Sequence, residues 1–406
     1  MEHVIARSTA SHDPRARPHS RVGGVVMGGD YQGLGIARSL GRLGVPVIVI
    51  DDERSIAGAS RYVRRTVRVP DLRSEEATVA ELHSLVEHHG AEGWVLFPTR
   101  DEQVATLAKR LVQLGAWFRV PSPGWGSIKH AWDKRATYEM ASSLGIPIPM
   151  SWFPDCVEEL PDVTRARPLI VKPAVKEHFF YATGVKAWRV DDAGALRSRF
   201  LEAQALVQGG GVIVQELIRG SGTSQYSYCA FWKEGQPIAE MTARRLRQHP
   251  SDFGRASTYV ETVECPPIVE LSRRFLRAMD YYGLVEIEYK RDPDEHTYRL
   301  LDVNARTWGY HSLGHAAGVD FAAMLFLDQL GDSVPRVVAT PGRRWVRLAT
   351  DVPNAVVDLR AGHLAPGPYL RSLAAVDTEA VFSWRDPAPW LAEVALLPYL
   401  AVKRGL

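Results

Sequence analysis

Cysteine is scarce in this chain, with three in 406 residues at Cys156, Cys229 and Cys265. None forms a C-x-x-C pair, which argues against a disulfide framework or a zinc site and suits a reducing cytoplasm. Excess charge of one sign is also missing. The 49 basic and 47 acidic side chains leave a formal net charge of +2. That balance gives no reason to expect nucleic acid or an anionic membrane as a partner. No run approaches the ~18 consecutive apolar residues that span a bilayer, so no membrane span is expected. No repeat recurs at a fixed period. Residues 1–20, rich in Arg, His, Ser and Pro, lack the apolar core of a secretory signal and read as a disordered arm.

What is present is ordinary globular composition, 46% hydrophobic and 24% charged. At ~150 residues per domain, the length suggests two to three units. Residues 21–126 alternate strand and helix. Val22–Met27, Val45–Asp51, Arg64–Val69 and Gly93–Phe97 read as strands, and Ile36–Leu43, Ser74–His89 and Asp101–Leu114 as helices. That rhythm predicts a doubly wound parallel sheet. The turn Gly28-Gly29-Asp30-Tyr31-Gln32-Gly33-Leu34-Gly35 precedes the first helix, and Asp51 ends the second strand. This is near a dinucleotide fingerprint, but G-G-x-x-x-G-x-G is not the G-x-G-x-x-G spacing, which disfavours NAD. Pro98-Thr99-Arg100-Asp101 lies beyond a strand's C-terminal end, where open α/β sheets bind ligands.

The richest stretch is 284–308. Val285, Ile287 and Tyr289 alternate with Glu286, Glu288 and Lys290, the period of a half-buried strand. Asp292-Pro293-Asp294 supplies a turn, and Tyr298–Asn304 forms a second strand. Side chains at i and i+2 share a face, so a hairpin would gather Glu286 or Glu288 with Asp302 and Asn304. Two bare carboxylates ~5 Å apart repel by roughly 3 kcal/mol at an effective dielectric near 20. Such a face is either solvated or neutralised. An all-oxygen donor set suits Mg2+ or Mn2+, with magnesium bridging carboxylates to nucleotide phosphates.

Asp302-Val303-Asn304-Ala305-Arg306 resembles the E-x-N-x-R signature of ATP-grasp ligases, with aspartate in place of glutamate. The resemblance implies that Asp302 and Asn304 hold magnesium and that Arg306 meets the transferred phosphoryl group. It adds Glu288 as a third metal ligand, because Glu-Tyr-Lys-Arg-Asp resembles E-F-K-x-D of the carboxylate–amine ligase branch, while Glu286 is the rival. Other segments are similar to that family in order along the chain. Asp133-Lys134 within an expected helix 127–145 is followed by Gly145-Ile146-Pro147-Ile148-Pro149. Val171-Lys172-Pro173 ends a strand, residues 174–184 would form a flap, and Lys186 would return in a strand 184–190. Gln215-Glu216-Leu217-Ile218 resembles the adenine-binding hinge. The resemblance gives Lys134, Lys172 and Lys186 to ATP phosphates, Gln215 to Ile218 to adenine, and Gln225 to ribose. Lys172 and Arg306 carry the catalytic roles.

Three arginines, Arg244, Arg245 and Arg247, fall in an expected loop 243–254. No aromatic interleaving marks it as an RNA-binding run. The alternatives are a solvated loop or a substrate site that uses guanidinium forks on carboxylates, as the ligase branch implies. Together the readings divide the chain into an arm (1–20), a Rossmann-like domain (21–126), a small ATP-grasp lobe (127–212), a large lobe with the metal site (213–332) and an extension (333–406) that carries no assigned chemistry. The expected fold is α/β followed by a two-lobed α+β ATP-grasp domain. The resemblance extends to D-aspartate ligase-like and carbamoyl-phosphate-synthetase-like proteins. It implies a cytoplasmic enzyme joining a small-molecule carboxylate to an amine with ATP, without nucleic acid, and compatible with a homodimer. The alternative is an ATP-binding regulator of the same fold without catalysis.

Overall fold

The computed structural model describes residues 22–163, 168–175, 183–207, 211–220, 222–250 and 256–404. Three sheets organise them. The first is parallel, built from β1 (Gly24–Met27), β2 (Val47–Asp51), β3 (Arg65–Arg68) and β4 (Val95–Pro98) in the order β3-β2-β1-β4. Apolar β1 and β2 are wholly buried, as parallel strands covered by helices on both faces must be.

The first helix begins at Tyr31, five residues before the expected start, and runs to Arg42. Asp30 caps it by accepting the Tyr31 N–H. Gly33 and Gly35 are therefore inside the helix, not in the turn. A Cβ on Gly33 would lie 2.0 Å from the Gly28 carbonyl oxygen, so that glycine permits helix–strand contact. Only Gly28, at φ 102°, supplies left-handed backbone to the turn. The Gly29 N–H donates to the buried Asp51 carboxylate at 2.8 Å, and a Cβ there would meet Ser55 Oγ. The chain itself fills the turn where a dinucleotide phosphate would sit.

The second sheet contains β5 (Ser151–Trp152), β6 (Leu169–Pro173), β7 (Trp188–Val190) and β8 (Val212–Glu216) in the antiparallel order β5-β8-β6-β7. Leu169, Val171, Val212 and Val214 bury one face against helix Ala193–Leu206. The third and largest sheet comprises β9 (Gln225–Lys233), β10 (Gln236–His249), β11 (Ala256–Thr262), β12 (Gly283–Arg291), β13 (Tyr298–Asn304), β14 (Val337–Val338), β15 (Arg344–Val346) and β16 (Thr378–Glu379). Its order is β13-β12-β9-β10-β11-β15-β16, with β14 beside β10.

Several local expectations change. The single helix expected over 127–145 is two, Trp125–Trp132 and Lys134–Ser143, because Asp133 takes an extended conformation and caps the second. Residues 243–249 are not a loop but the second half of β10. Only Trp188–Val190 of the expected strand 184–190 is a strand, which leaves Lys186 in an irregular segment. The extension holds helices Leu348–Arg360 and Pro366–Ala374 despite Pro353 and Pro366, a residue type that breaks helix interiors. Pro366 instead sits in a first turn, where the missing N–H costs nothing. Most of the expected flap and the arm lie outside the described residues. No helix among the described residues is long and apolar enough to cross a membrane.

Candidate functional site

One cavity of about 590 Å³ lies among the three sheets. From the small sheet it takes Lys172, Gln215 and the segment Glu216 to Ile218. From the large sheet it takes Gln225, Arg245, Glu286, Glu288, Asp302 and Asn304. Lys134, Lys186 and Arg306 line it too, and Asp101 comes from the N-terminal unit. Residues 170 positions apart in sequence thus share one wall.

The hairpin of β12 and β13 sets the acidic end. Its register pairs Glu286 with Asn304 and Glu288 with Asp302, so all four side chains share the cavity face. The Asn304 amide donates to both Glu286 and Glu288, at 3.1 Å each. Glu286 is the deeper of the two and also accepts from the Tyr310 hydroxyl at 2.5 Å. Burial, then the neighbouring Glu288 charge, pushes its carboxyl up to about 7. Glu288 stands 3.5 Å from the Arg245 guanidinium. Asp302 accepts from the Lys134 ammonium at 2.5 Å.

Arg306 is held from across the cavity. Its Nε donates to Asp101 Oδ1 at 2.8 Å and one terminal nitrogen to Oδ2 at 3.3 Å; that nitrogen also reaches Asn304 Oδ1 at 3.3 Å. Burial works against its charge, but Asp101, then Glu286 and Asp302, outweigh it and raise the guanidinium further. Asp101 opens helix Asp101–Lys109, just beyond the C-terminal end of β4. Sequence reading marked that position as a ligand-binding edge; here its carboxylate grips the signature arginine.

Lys172 lies at the cation end. The residue is 9% exposed, and its ammonium donates to the Tyr138 hydroxyl at 2.9 Å and to Gln215 Oε1 at 2.7 Å. Both partners are neutral, so the charge is oriented without being neutralised, the condition under which a buried ammonium attracts an anion. The Gln215 amide is fixed in turn by Ser151 at 2.7 Å. The Gln215 side chain therefore orients Lys172. Beyond β8, Glu216 and Leu217 spend their N–H groups on Met150 and Pro168 carbonyls, whereas among the described residues the Ile218 N–H has no backbone partner.

Of the three arginines, only Arg245 enters the cavity, donating to Gln225 at 2.5 Å and to Gln248 at 3.2 Å. Arg244 instead donates to the Thr223 carbonyl oxygen and packs over Tyr226. Arg247 grips the buried Asp351 with two bonds of 2.8 Å and lies over Tyr259 and Tyr369. The cause is a β-bulge. Arg245 pairs with Val260 and Arg247 with Tyr259, so Leu246 is extra and the side-chain alternation reverses. Sequence spacing alone puts Arg245 and Arg247 on one face.

The donor set fits magnesium in one way only. Among the described residues no three His, Cys, Asp or Glu side chains form a ready metal cage. Asp302 and Glu288 lean instead on Lys134 and Arg245. Glu288, Asp302 and Asn304 nevertheless offer oxygen donors on one face, and magnesium commonly takes one or two carboxylates and completes its shell with phosphates and water. The residues present fit an ion that arrives with a nucleotide.

This arrangement of sheets around one cleft is the ATP-grasp fold. The chain is similar to L-amino acid ligase from Bacillus licheniformis at 16% identity and a TM-score of 0.60, over 77% of this chain and 74% of that one. It is similar to carboxyaminoimidazole ribonucleotide synthase from Aspergillus clavatus, complexed with ATP, at 16% identity and 0.60, over 80% and 81%. It also resembles the biotin carboxylase domain of Hydrogenobacter thermophilus 2-oxoglutarate carboxylase, in complex with MgADP, at 15% identity and 0.61, over 80% and 73%. No family model and no curated protein matches the chain.

Proposed function

We propose that this protein is an ATP- and magnesium-dependent ligase that joins a carboxylate to an amine, with amino acids as the substrate class. One observation carries the reading: Lys172, the 215–218 hinge and the Glu288, Asp302, Asn304 and Arg306 group line a single cavity. The solved structures of this fold described above include an L-amino acid ligase and complexes with ATP and MgADP.

In the proposed reaction a substrate carboxylate oxygen attacks the γ-phosphorus, the bond to the β-phosphate oxygen breaks, and ADP leaves. The amine nitrogen then attacks the carbonyl carbon of the acyl phosphate. The C–O bond breaks, phosphate leaves with its electron pair, and the nitrogen loses a proton to solvent. Phosphoryl transfer needs mainly positioning and charge neutralisation. Lys172 presents a pre-oriented ammonium to the phosphates, and the Ile218 N–H is free among described backbone groups to meet adenine. Lys134, paired with Asp302, would meet a phosphate, and Glu288, Asp302 and Asn304 would hold the magnesium ion. Magnesium, when bound, supplies charge neutralisation at the phosphates. Arg306, fixed by Asp101, faces the transferred group, and Arg245 offers a fork to the substrate acid.

A second reading, an ATP-binding regulator, is favoured by the Lys134–Asp302 pair, in which a phosphate ligand and a metal ligand neutralise each other. A coupled ADP-release assay across paired acids and amines, with products read by mass spectrometry, separates the two. ADP release that needs both substrates, together with a new amide mass, supports the ligase. Tight ATP binding without ADP release across the panel overturns it in favour of the regulator.

A further inference from the structure

The last helix, Ala388–Arg404, is turned inside out relative to an ordinary surface helix. Between Ala388 and Val402 it carries one charged residue, Glu393, and that residue faces inward, 4% exposed and 3.0 Å from Arg347. Its exposed positions are Ala388, Trp390, Leu391, Val394, Ala395, Leu397 and Pro398. At 100° per residue, those from Trp390 to Pro398 span an arc of about 160° without a polar side chain. Trp384, 87% exposed, extends the patch, and Phe382 packs edge-on between it and Trp390.

Arginines make up the exposed rim of this patch, whereas Glu379 beside Phe382 is half-buried and accepts from the Leu348, Val381 and Phe382 N–H groups. Arg54 lies 5.2 Å over the Tyr399 ring, and Arg61 donates to the Arg385 carbonyl oxygen. Arg54, Arg61 and Arg385 are exposed, and among the described residues none has a carboxylate within ion-pair distance. The nearby acid Asp386 is buried, bonded to Arg38, Ser60 and the Arg61 N–H. The balanced net charge of the chain thus hides a local segregation.

We infer that this face is a docking surface for an anionic lipid bilayer, with the helix lying in the interface plane. Exposed tryptophans beside an uncharged helical face, rimmed by arginines that have no ion pair among the described residues, match what headgroups and upper acyl chains offer. A second copy of the chain fits less well. A helix about 25 Å long and ~10 Å wide presents about 250 Å², against ~800 Å² per partner in a stable protein complex. Bilayer docking needs no such area.

The test uses the purified full chain with vesicles of phosphatidylcholine containing about one-third phosphatidylglycerol, and with phosphatidylcholine alone. The protein is expected to co-sediment with the anionic vesicles, less so at high salt. The double variant Leu391→Glu, Val394→Glu should reduce binding by about ten-fold or more and leave ATP binding unchanged. Wild-type protein remaining in the supernatant with both vesicle types overturns the inference, as does equal binding by the variant. So does a concentration-dependent dimer in light scattering that the variant dissolves, without vesicle binding. If the variant fails to fold, brominated lipids settle the matter in the wild type: tryptophan quenching is expected, and its absence overturns the docking surface.

Discussion

Lys172, next to last in β6, holds its ammonium between a tyrosine hydroxyl and an amide oxygen, and no described carboxylate neutralises it. Replacing it with Ala should remove the proposed charge-assisted phosphate contact, worth about 1.5–3 kcal/mol. ATP affinity should fall ten-fold or more by calorimetry, and an unchanged affinity removes Lys172 from the phosphate site. The two glutamates divide on equally local grounds. Glu288 faces Asp302 in the register, whereas Glu286 is deeper and already accepts from both Tyr310 and Asn304. Glu288→Gln should therefore abolish magnesium-dependent turnover, through kcat more than through the KM for ATP. Glu286→Gln, which keeps the size but turns one accepting oxygen into a donor, should be milder for turnover. A magnesium titration of both variants that gives the reverse order exchanges their roles. Lys134, Lys172 and Arg306 were legible as candidates because each sits in a short ordered motif. Tyr138 and Tyr310 were not, since a tyrosine on a helix or after a strand carries no signal until folding brings it to a charge.

At the scale of elements, β10 shows how one extra residue redistributes function. Its bulge at Leu246 sends Arg245 to the cavity and Arg247 to the opposite face, where it anchors the extension through Asp351. The two arginines should then fail differently. Arg247→Ala strands a buried carboxylate and should cost about 3 kcal/mol of stability, read as a lower Tm or denaturant midpoint, with the KM for ATP unchanged. Arg245→Lys keeps the charge but loses the fork, and should raise the KM for the acid substrate more than that for ATP. Equal stability loss in both variants, or equal effects of Arg245→Lys on both substrates, counts against this division. Bulges leave no compositional mark here, and the segment read as a loop, so nothing in the sequence separated the two side chains. The hairpin of β12 and β13 was legible because its first strand alternates cleanly and a D-P-D turn follows, although its register too carries a bulge, at Leu301.

Across the whole molecule, Asp320 ties distant parts of the chain together. It accepts from Ser39 and Arg42 of the first helix and from His315, while capping helix Phe321–Gln329. Burial opposes its charge, but the hydrogen bonds from His315 and Ser39 and the Arg42 charge hold the carboxyl well below the usual range. A depressed carboxylate contributes stability above its unfolded value near ~3.9, and that stability disappears as pH falls through the lower folded value. Asp320→Asn should lower Tm at neutral pH and flatten the acid side of the stability profile below about pH 4. Parallel profiles for the two proteins contradict this account.

The sequence by itself determined the parallel N-terminal sheet and the acidic hairpin, because each depends on neighbours a few residues apart. Period-two alternation, a capping aspartate and a proline stopping a strand act locally and survive without the rest of the chain. Tertiary structure alone decided the contacts that cross the cavity. Asp101 grips Arg306 over 205 positions, Lys134 meets Asp302 over 168, and Asp386 binds Arg38 over 348. It also turned the last helix outward, since which side of an apolar segment faces solvent depends on the surface against which it packs.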